Sequence, residues 1–119
     1  MAIWGVGIDV VNLDRFATSL DRTPELRARL FTPAELEAGL STESLAGRFA
    51  VKEAFVKALR RPAGMSWQDV EVVTDEAGAP SVQLSGAAAD RAAELGITTL
   101  HVSLAHDTGV ATGFVVAEA

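Results

Sequence analysis

The chain has 119 residues, which points to a single domain, expected to span 1–119, with a core of modest size. It has no cysteine, which excludes disulfides, zinc–thiolate sites and a thiol nucleophile. The net charge of −6 argues against nucleic-acid binding, and it is uneven: residues 1–61 hold nine Lys or Arg against eight Asp or Glu, whereas 62–119 hold only Arg91 against eight acids.

In chain order, Ile3 to Val11 reads as a buried strand interrupted by Gly5 and Gly7. The opening "MAIWGVGIDVV" lacks a basic n-region and carries Asp9, so it is not a secretory signal, and no apolar run approaches a membrane span. The expected location is cytoplasmic. Asn12 or Asp14 caps a helix running to about Leu20. "TPELRARLF" places Thr23 as N-cap and Pro24 at the first helical position. "TPAELEAGL" repeats the signature, with Thr32 and Glu35 as a capping box. A long helix follows from Ser44 to Arg60. Val70–Thr74 and Ser81–Leu84 form a hairpin around "DEAGAP", and "GAAADRAAELG" is a helix closed by Gly96. Leu100–Ala105 and Val110–Ala117 are strands joined by a turn at "HDTG". The sum is an α+β fold with a mostly antiparallel sheet packed against one long helix and several short ones.

The long helix carries a puzzle in "RFAVKEAFVKAL", Arg48 to Leu59. At 100° per residue, Val51, Ala54, Phe55, Ala58 and Leu59 form one apolar stripe, while Phe49 and Val56 lie on the other side. Glu53, Lys57 and Arg60 share a wedge beyond them, and Arg48 and Lys52 fall between the two apolar regions. A helix apolar on two sides is wedged between two bodies, and its charges then sit in a crevice. The simplest account of Glu53 and Lys57 is an i,i+4 ion pair. The hydrophobic fraction of 49% and mean hydropathy of +0.24 add weight to an oligomer.

Asp9 is a carboxylate late in an apolar strand, where it needs a partner or caps the next helix. Asp9 and Glu53 come from separate elements, near lysine. That suits magnesium, which takes one or two protein carboxylates and completes its shell with water and substrate phosphates. Ser103, His106 and Asp107 supply the residue types of a hydrolase triad, but a strand serine lacks the exposed elbow such enzymes use. "FTPAEL" alone is a helix start.

Together, "GVGIDVVNLDR", "FTPAE", "RFAVKEAFVKAL" and "HVSLAHDTGVAT", in this order, resemble the holo-[acyl-carrier-protein] synthase family of 4′-phosphopantetheinyl transferases. The resemblance spans nearly the whole chain. It implies transfer of the 4′-phosphopantetheine arm of coenzyme A to a serine of apo acyl carrier protein, giving 3′,5′-ADP, in support of fatty-acid or polyketide synthesis. It implies that Asp9 and Glu53 hold magnesium, that Lys57 lies against the phosphates, and that Arg48 and His106 contact coenzyme A, partly from a neighbouring subunit of a trimer. Asp107, beside His106, joins this coenzyme A-binding group. Either Glu53 or a water at the metal serves as base. The chain departs from the family where Ala105 replaces a frequent serine, and where "RRPAG" follows the long helix in place of a glycine. Arg60 and Arg61 are then expected to reach coenzyme A phosphates. Arg15, Arg22, Arg27 and Arg29 are expected to meet the acidic carrier protein. Two rival readings are a nucleotide-binding module that has lost catalysis and a magnesium-dependent phosphohydrolase.

Overall fold

The computed structural model describes residues 1–119. Strand β1 (Ile3–Asn12) runs into helix α1 (Leu13–Arg22), and Asn12 is the cap, its Oδ1 accepting from the Arg15 amide at 2.9 Å. Helix α2 (Leu26–Leu30) begins later than Thr23 suggests. The Leu26 amide donates to the Thr23 carbonyl at 2.9 Å, so Thr23 and Pro24 open a turn, and the helix starts after it without a side-chain cap. Helix α3 (Pro33–Glu37) has the expected capping box: the Glu35 amide donates to Thr32 Oγ1 at 3.2 Å and the Thr32 amide to Glu35 Oε1 at 3.0 Å.

Helix α4 (Thr42–Ala58) is shifted from its expected limits. Ser41 caps it, accepting from the Ser44 amide at 3.1 Å, and it stops two residues before Arg60. A 3₁₀ turn (Trp67–Asp69), the hairpin β2 (Val70–Thr74) and β3 (Pro80–Leu84), helix α5 (Gly86–Glu94), and strands β4 (Thr99–Asp107) and β5 (Val110–Glu118) complete the chain. The main sheet is antiparallel in the order β1–β5–β4. The β4–β5 hairpin is longer than "HDTG" suggests. Only Thr108 and Gly109 turn, both at positive φ (46° and 83°), as the tight hairpin connection demands.

Helix α4 lies directly on this sheet, and the strand glycines permit it. A Cβ at Gly7 would come within 1.8 Å of the Ala54 carbonyl oxygen, one at Gly5 within 2.0 Å of that of Ala58, and one at Gly113 within 2.4 Å of the Ala50 backbone. "GVG" in β1 is therefore a seat for a helix.

The apolar stripe of α4 and Phe49 on its other side are covered by the chain itself, whereas Val56 is half-buried beside a cleft. Val51, Phe55 and Leu59 pack with Val70, Val72, Ala88, Ala92 and Val115. Leu45, Ala46 and Ala50 pack with Phe16, Leu20, Leu30 and Phe31. Phe49 belongs to the second cluster, stacked on Phe16 at 5.6 Å and edge-on to Trp67 at 5.5 Å. The two-sided helix is thus wedged between two cores of one chain, and it says nothing about a subunit boundary. The unpartnered apolar surface lies elsewhere, on the far face of the sheet. There Val6, Ile8 and Val10 are 52–61% exposed and Phe114, opposite Ile8, is 39% exposed. Strand β1 is therefore not buried on both faces: Gly7 and Val11 face α4 and are covered, and the alternate residues are open.

Candidate active site

On the α4 side of β1, the inward positions are Gly5, Gly7, Asp9 and Val11. The two glycines bring α4 against the strand, and Asp9, with Gly113 opposite it, meets the helix at Lys57. The Lys57 ammonium donates to Asp9 Oδ1 and to the Ile8 carbonyl, both at 2.9 Å. Its partners are on β1, not the Glu53 carboxylate one turn before it.

Glu53 lies within reach of the Asp9 charge. Burial first, and then the Asp9 carboxylate, hold the Glu53 carboxyl above its ordinary range, against the opposing influence of Lys57 and Arg61. Glu53, Lys57 and Arg61 open onto a cleft of about 330 Å³ whose remaining walls are Val56, Pro62, Met65 and Trp67. Arg61 also borders a second cleft of about 430 Å³, formed with Ala63 and the Ala87, Asp90, Arg91 and Glu94 side of α5. A polar, cation-rich end beside an apolar wall suits a ligand with anionic and apolar parts.

Asp9 and Glu53 form a carboxylate pair from two separate elements, offering only oxygen. The Asp9 charge raises the cost of ionising Glu53, which a divalent cation between them would relieve. The open cleft beside them leaves room for water or phosphate oxygens. The donor set therefore fits magnesium.

The other candidates fall into three places. Arg60 leaves the wedge predicted for it, because α4 has already ended; its guanidinium lies 4.4 Å from the centre of the Trp4 ring. His106 and Asp107 sit at the end of β4, near the start of α4, where His106 Nδ1 is 2.6 Å from Glu43 Oε1. Glu43 and Glu53 are ten residues apart on one helix, about 15 Å along its axis, so His106 does not join the Asp9–Glu53–Lys57 group within one chain. Ser103 and His106 point to opposite faces of the sheet, so no triad forms. Arg15 and Arg22 line a shallow groove on α1 with Asp14, Thr18 and Ser19, and Arg27 and Arg29 follow on α2.

Arg48 points into the interior. It donates to the Val72 carbonyl and lies 3.8 Å from Glu35 Oε2. It belongs to a buried network that the sequence did not reveal. Fully buried Lys52 donates to Glu35 Oε1 at 2.6 Å, the Leu30 carbonyl at 2.7 Å and the Trp67 carbonyl at 3.1 Å, which uses all three of its protons. Glu35 Oε2 accepts from the Val72 amide at 3.2 Å. "FTPAEL" is thus more than a helix start: its glutamate is the counter-ion of Lys52.

The sequence model of the 4′-phosphopantetheinyl transferase superfamily matches residues 5–115. A holo-[acyl-carrier-protein] synthase of Clavibacter sepedonicus is 57% identical over 116 residues, covering 98% of this chain and 96% of the relative. The chain belongs to the holo-[acyl-carrier-protein] synthase family. By that membership it is an enzyme of the phosphopantetheinyl transferase kind. Its α+β architecture is also that of the family's solved members. The Neisseria meningitidis synthase superposes with a TM-score of 0.90 at 31% identity, covering 99% of this chain and all of that one. The Helicobacter pylori synthase, solved in complex with coenzyme A, gives 0.84 at 31% identity, covering 95% of this chain and 99% of that one. No helix of this synthase-family chain is long and apolar enough to cross a membrane.

Proposed function

We propose that this chain, acting as one domain over 1–119, transfers the 4′-phosphopantetheine arm of coenzyme A to a serine of apo acyl carrier protein, releasing 3′,5′-ADP. The observation that carries the proposal is the meeting of Asp9, Glu53 and Lys57 beside a cleft with both cationic and apolar walls. In the reaction the serine oxygen bonds to the phosphorus bearing the pantetheine arm, and the bond from that phosphorus to the ADP oxygen breaks. The serine loses its proton, and the leaving phosphate gains charge.

Each residue around the cleft then has a task. Lys57 is anchored on Asp9 and the Ile8 carbonyl, with its side chain half exposed, so it can donate to a phosphate oxygen without being desolvated alone. Arg61 faces the same cleft and offers a bidentate grip. Glu53 borders the cleft and is placed to take the serine proton, directly or through a water. Met65, Trp67 and Val56 cover the apolar part of the arm. Asp9 and Glu53 would hold magnesium, which when bound supplies charge neutralisation at the pyrophosphate. Arg48 holds the Glu35 network together from the interior, donating to the Val72 carbonyl.

The enzyme acts as a homotrimer. The open apolar face of Val6, Ile8, Val10 and Phe114 gives copies a surface to share, and His106 and Asp107 lie at the opposite end of α4 from Asp9 and Glu53, where they serve a neighbour's ligand. Arg15, Arg22, Arg27 and Arg29 supply the positive surface that an acidic carrier needs on an otherwise acidic protein.

Mass spectrometry of apo acyl carrier protein incubated with coenzyme A, magnesium and this protein tests the reading. The carrier should gain the mass of one phosphopantetheine arm. Free phosphopantetheine with an unchanged carrier would make the chain a hydrolase, and no change in either would leave a binding module.

A further inference from the structure

Two backbone irregularities far apart in sequence meet on the surface beside the Glu53–Lys57 cleft. The first is at the start of β1, where Ile3 pairs with Glu118 and Gly5 with Ala117, so Trp4 is the extra residue of a β-bulge. The second is the end of α4. Its last carbonyls are closed by a Schellman motif, the Arg60 amide donating to Lys57 at 3.2 Å and the Arg61 amide to Val56 at 2.8 Å. That motif needs one left-handed residue, for which glycine is the usual choice. Here Arg60 and Arg61 are both left-handed, with φ of 57° and 58°, and two consecutive side-chain-bearing residues in that region are unfavourable.

The Arg60 guanidinium lies over the Trp4 ring at 4.4 Å, a cation–π contact that offsets part of this strain. Its consequence falls on the next residue. Pro62 is buried and disfavours a right-handed conformation at Arg61, and a left-handed Arg61 borders the cleft that holds Glu53 and Lys57. Were Arg60 free, the helix end could relax and Arg61, exposed to solvent, would lose its fixed direction.

We propose that Trp4 and Arg60 are positioning residues: their stack holds the left-handed pair at the end of α4 and so keeps the Arg61 guanidinium aimed into the Glu53–Lys57 cleft, toward the phosphates of the substrate. The inference deepens the proposed function and rests on coenzyme A binding in that cleft. Neither Trp4 nor Arg60 touches the ligand. Both act through Arg61, and that sets the test.

The experiment is a double-mutant cycle read by steady-state kinetics with coenzyme A. Trp4→Ala should raise the KM for coenzyme A about 2- to 5-fold with little change in kcat, in keeping with loss of an exposed cation–π contact. Arg61→Ala should raise it at least as much. Trp4→Ala added to Arg61→Ala should cost nothing further, because the residue it positions is gone. Trp4→Phe, which keeps a ring under the cation, should restore most of the wild-type KM. Should Trp4→Ala fail to fold, Arg60→Gln carries the same cycle from an exposed side chain, with Arg60→Lys as the rescuing variant. Equal effects of Trp4→Ala with and without Arg61, or no effect in either background, would overturn the proposal while leaving the transfer reaction intact. A wild-type protein that transfers nothing would instead remove the reading on which it stands.

Discussion

Lys52 and Lys57 lie five residues apart on one helix and differ in almost every physical respect. Lys52 is fully buried, each of its three protons is donated within the chain, and burial holds its pKa below the ordinary lysine range against the opposing effect of Glu35. Lys57 is half exposed and anchored by two β1 oxygens with solvent on its remaining side. The difference comes from what faces the helix at each point. Around Lys52, α4 meets α2, α3 and the turn at Trp67, whose carbonyls and Glu35 close over it. Around Lys57 it meets only β1 and a cleft. A cation with every proton used holds a fold together, whereas one with protons to spare can bind an anion.

The largest test of this contrast is Glu35→Ala. It leaves the Lys52 ammonium buried without its carboxylate and should cost about 3–5 kcal/mol of folding stability. Urea denaturation measures it, and a loss below about 1 kcal/mol would erase the distinction between the two lysines. The double change Glu35→Leu, Lys52→Met should recover much of the loss, because apolar replacement of a buried ion pair is often near neutral.

On the other side of the contrast, Asp9→Ala or Glu53→Gln should leave the fold intact and lower transfer activity more than tenfold, the scale of disturbing a metal site. Near-normal turnover of either variant at saturating magnesium would remove the pair from the site. A charge at Ile8 or Val10, both exposed in the single chain, should likewise leave the chain folded but dissociate the proposed trimer and its activity with it. A fully active monomer in sedimentation equilibrium would defeat that expectation.

A subtler effect concerns pH. The folded-state pKa of Glu53 is raised above its ordinary value of 4.5, so between those two values the folded state binds more protons than the unfolded one. Without a divalent cation, stability should therefore fall as pH rises from 4.5 through the folded pKa, and Glu53→Gln should lack this component. Thermal unfolding across that range shows it, and added magnesium should flatten the wild-type curve. The smallest effect belongs to α1 and α2. Salt should raise the KM for carrier protein more than that for coenzyme A, because Arg15, Arg22, Arg27 and Arg29 are surface charges and are screened. Equal salt sensitivity would remove the arginines from docking.

Periodicity and local chemistry were enough to read the hidden stripe of α4, the Thr32–Glu35 capping box, the β2–β3 hairpin and the candidacy of Asp9, Glu53 and Lys57. Each depends on residues close together in sequence, or on a residue type out of place in its surroundings. The fate of each charge was decided only by the tertiary structure. Lys57 chose Asp9, 48 residues away, over Glu53 on the next turn, because the β1 glycines let the strand come that close. Glu35 satisfied a local capping pattern so completely that its pairing with Lys52, 17 residues on, left no further trace in the sequence. The two apolar sides of α4 looked like a boundary between molecules, and the folded chain filled one and all but Val56 of the other itself. A helical wheel gives the direction in which a side chain leaves its own helix. What stands opposite depends on strand register and on the distance of approach, and both are set by contacts between residues distant in sequence.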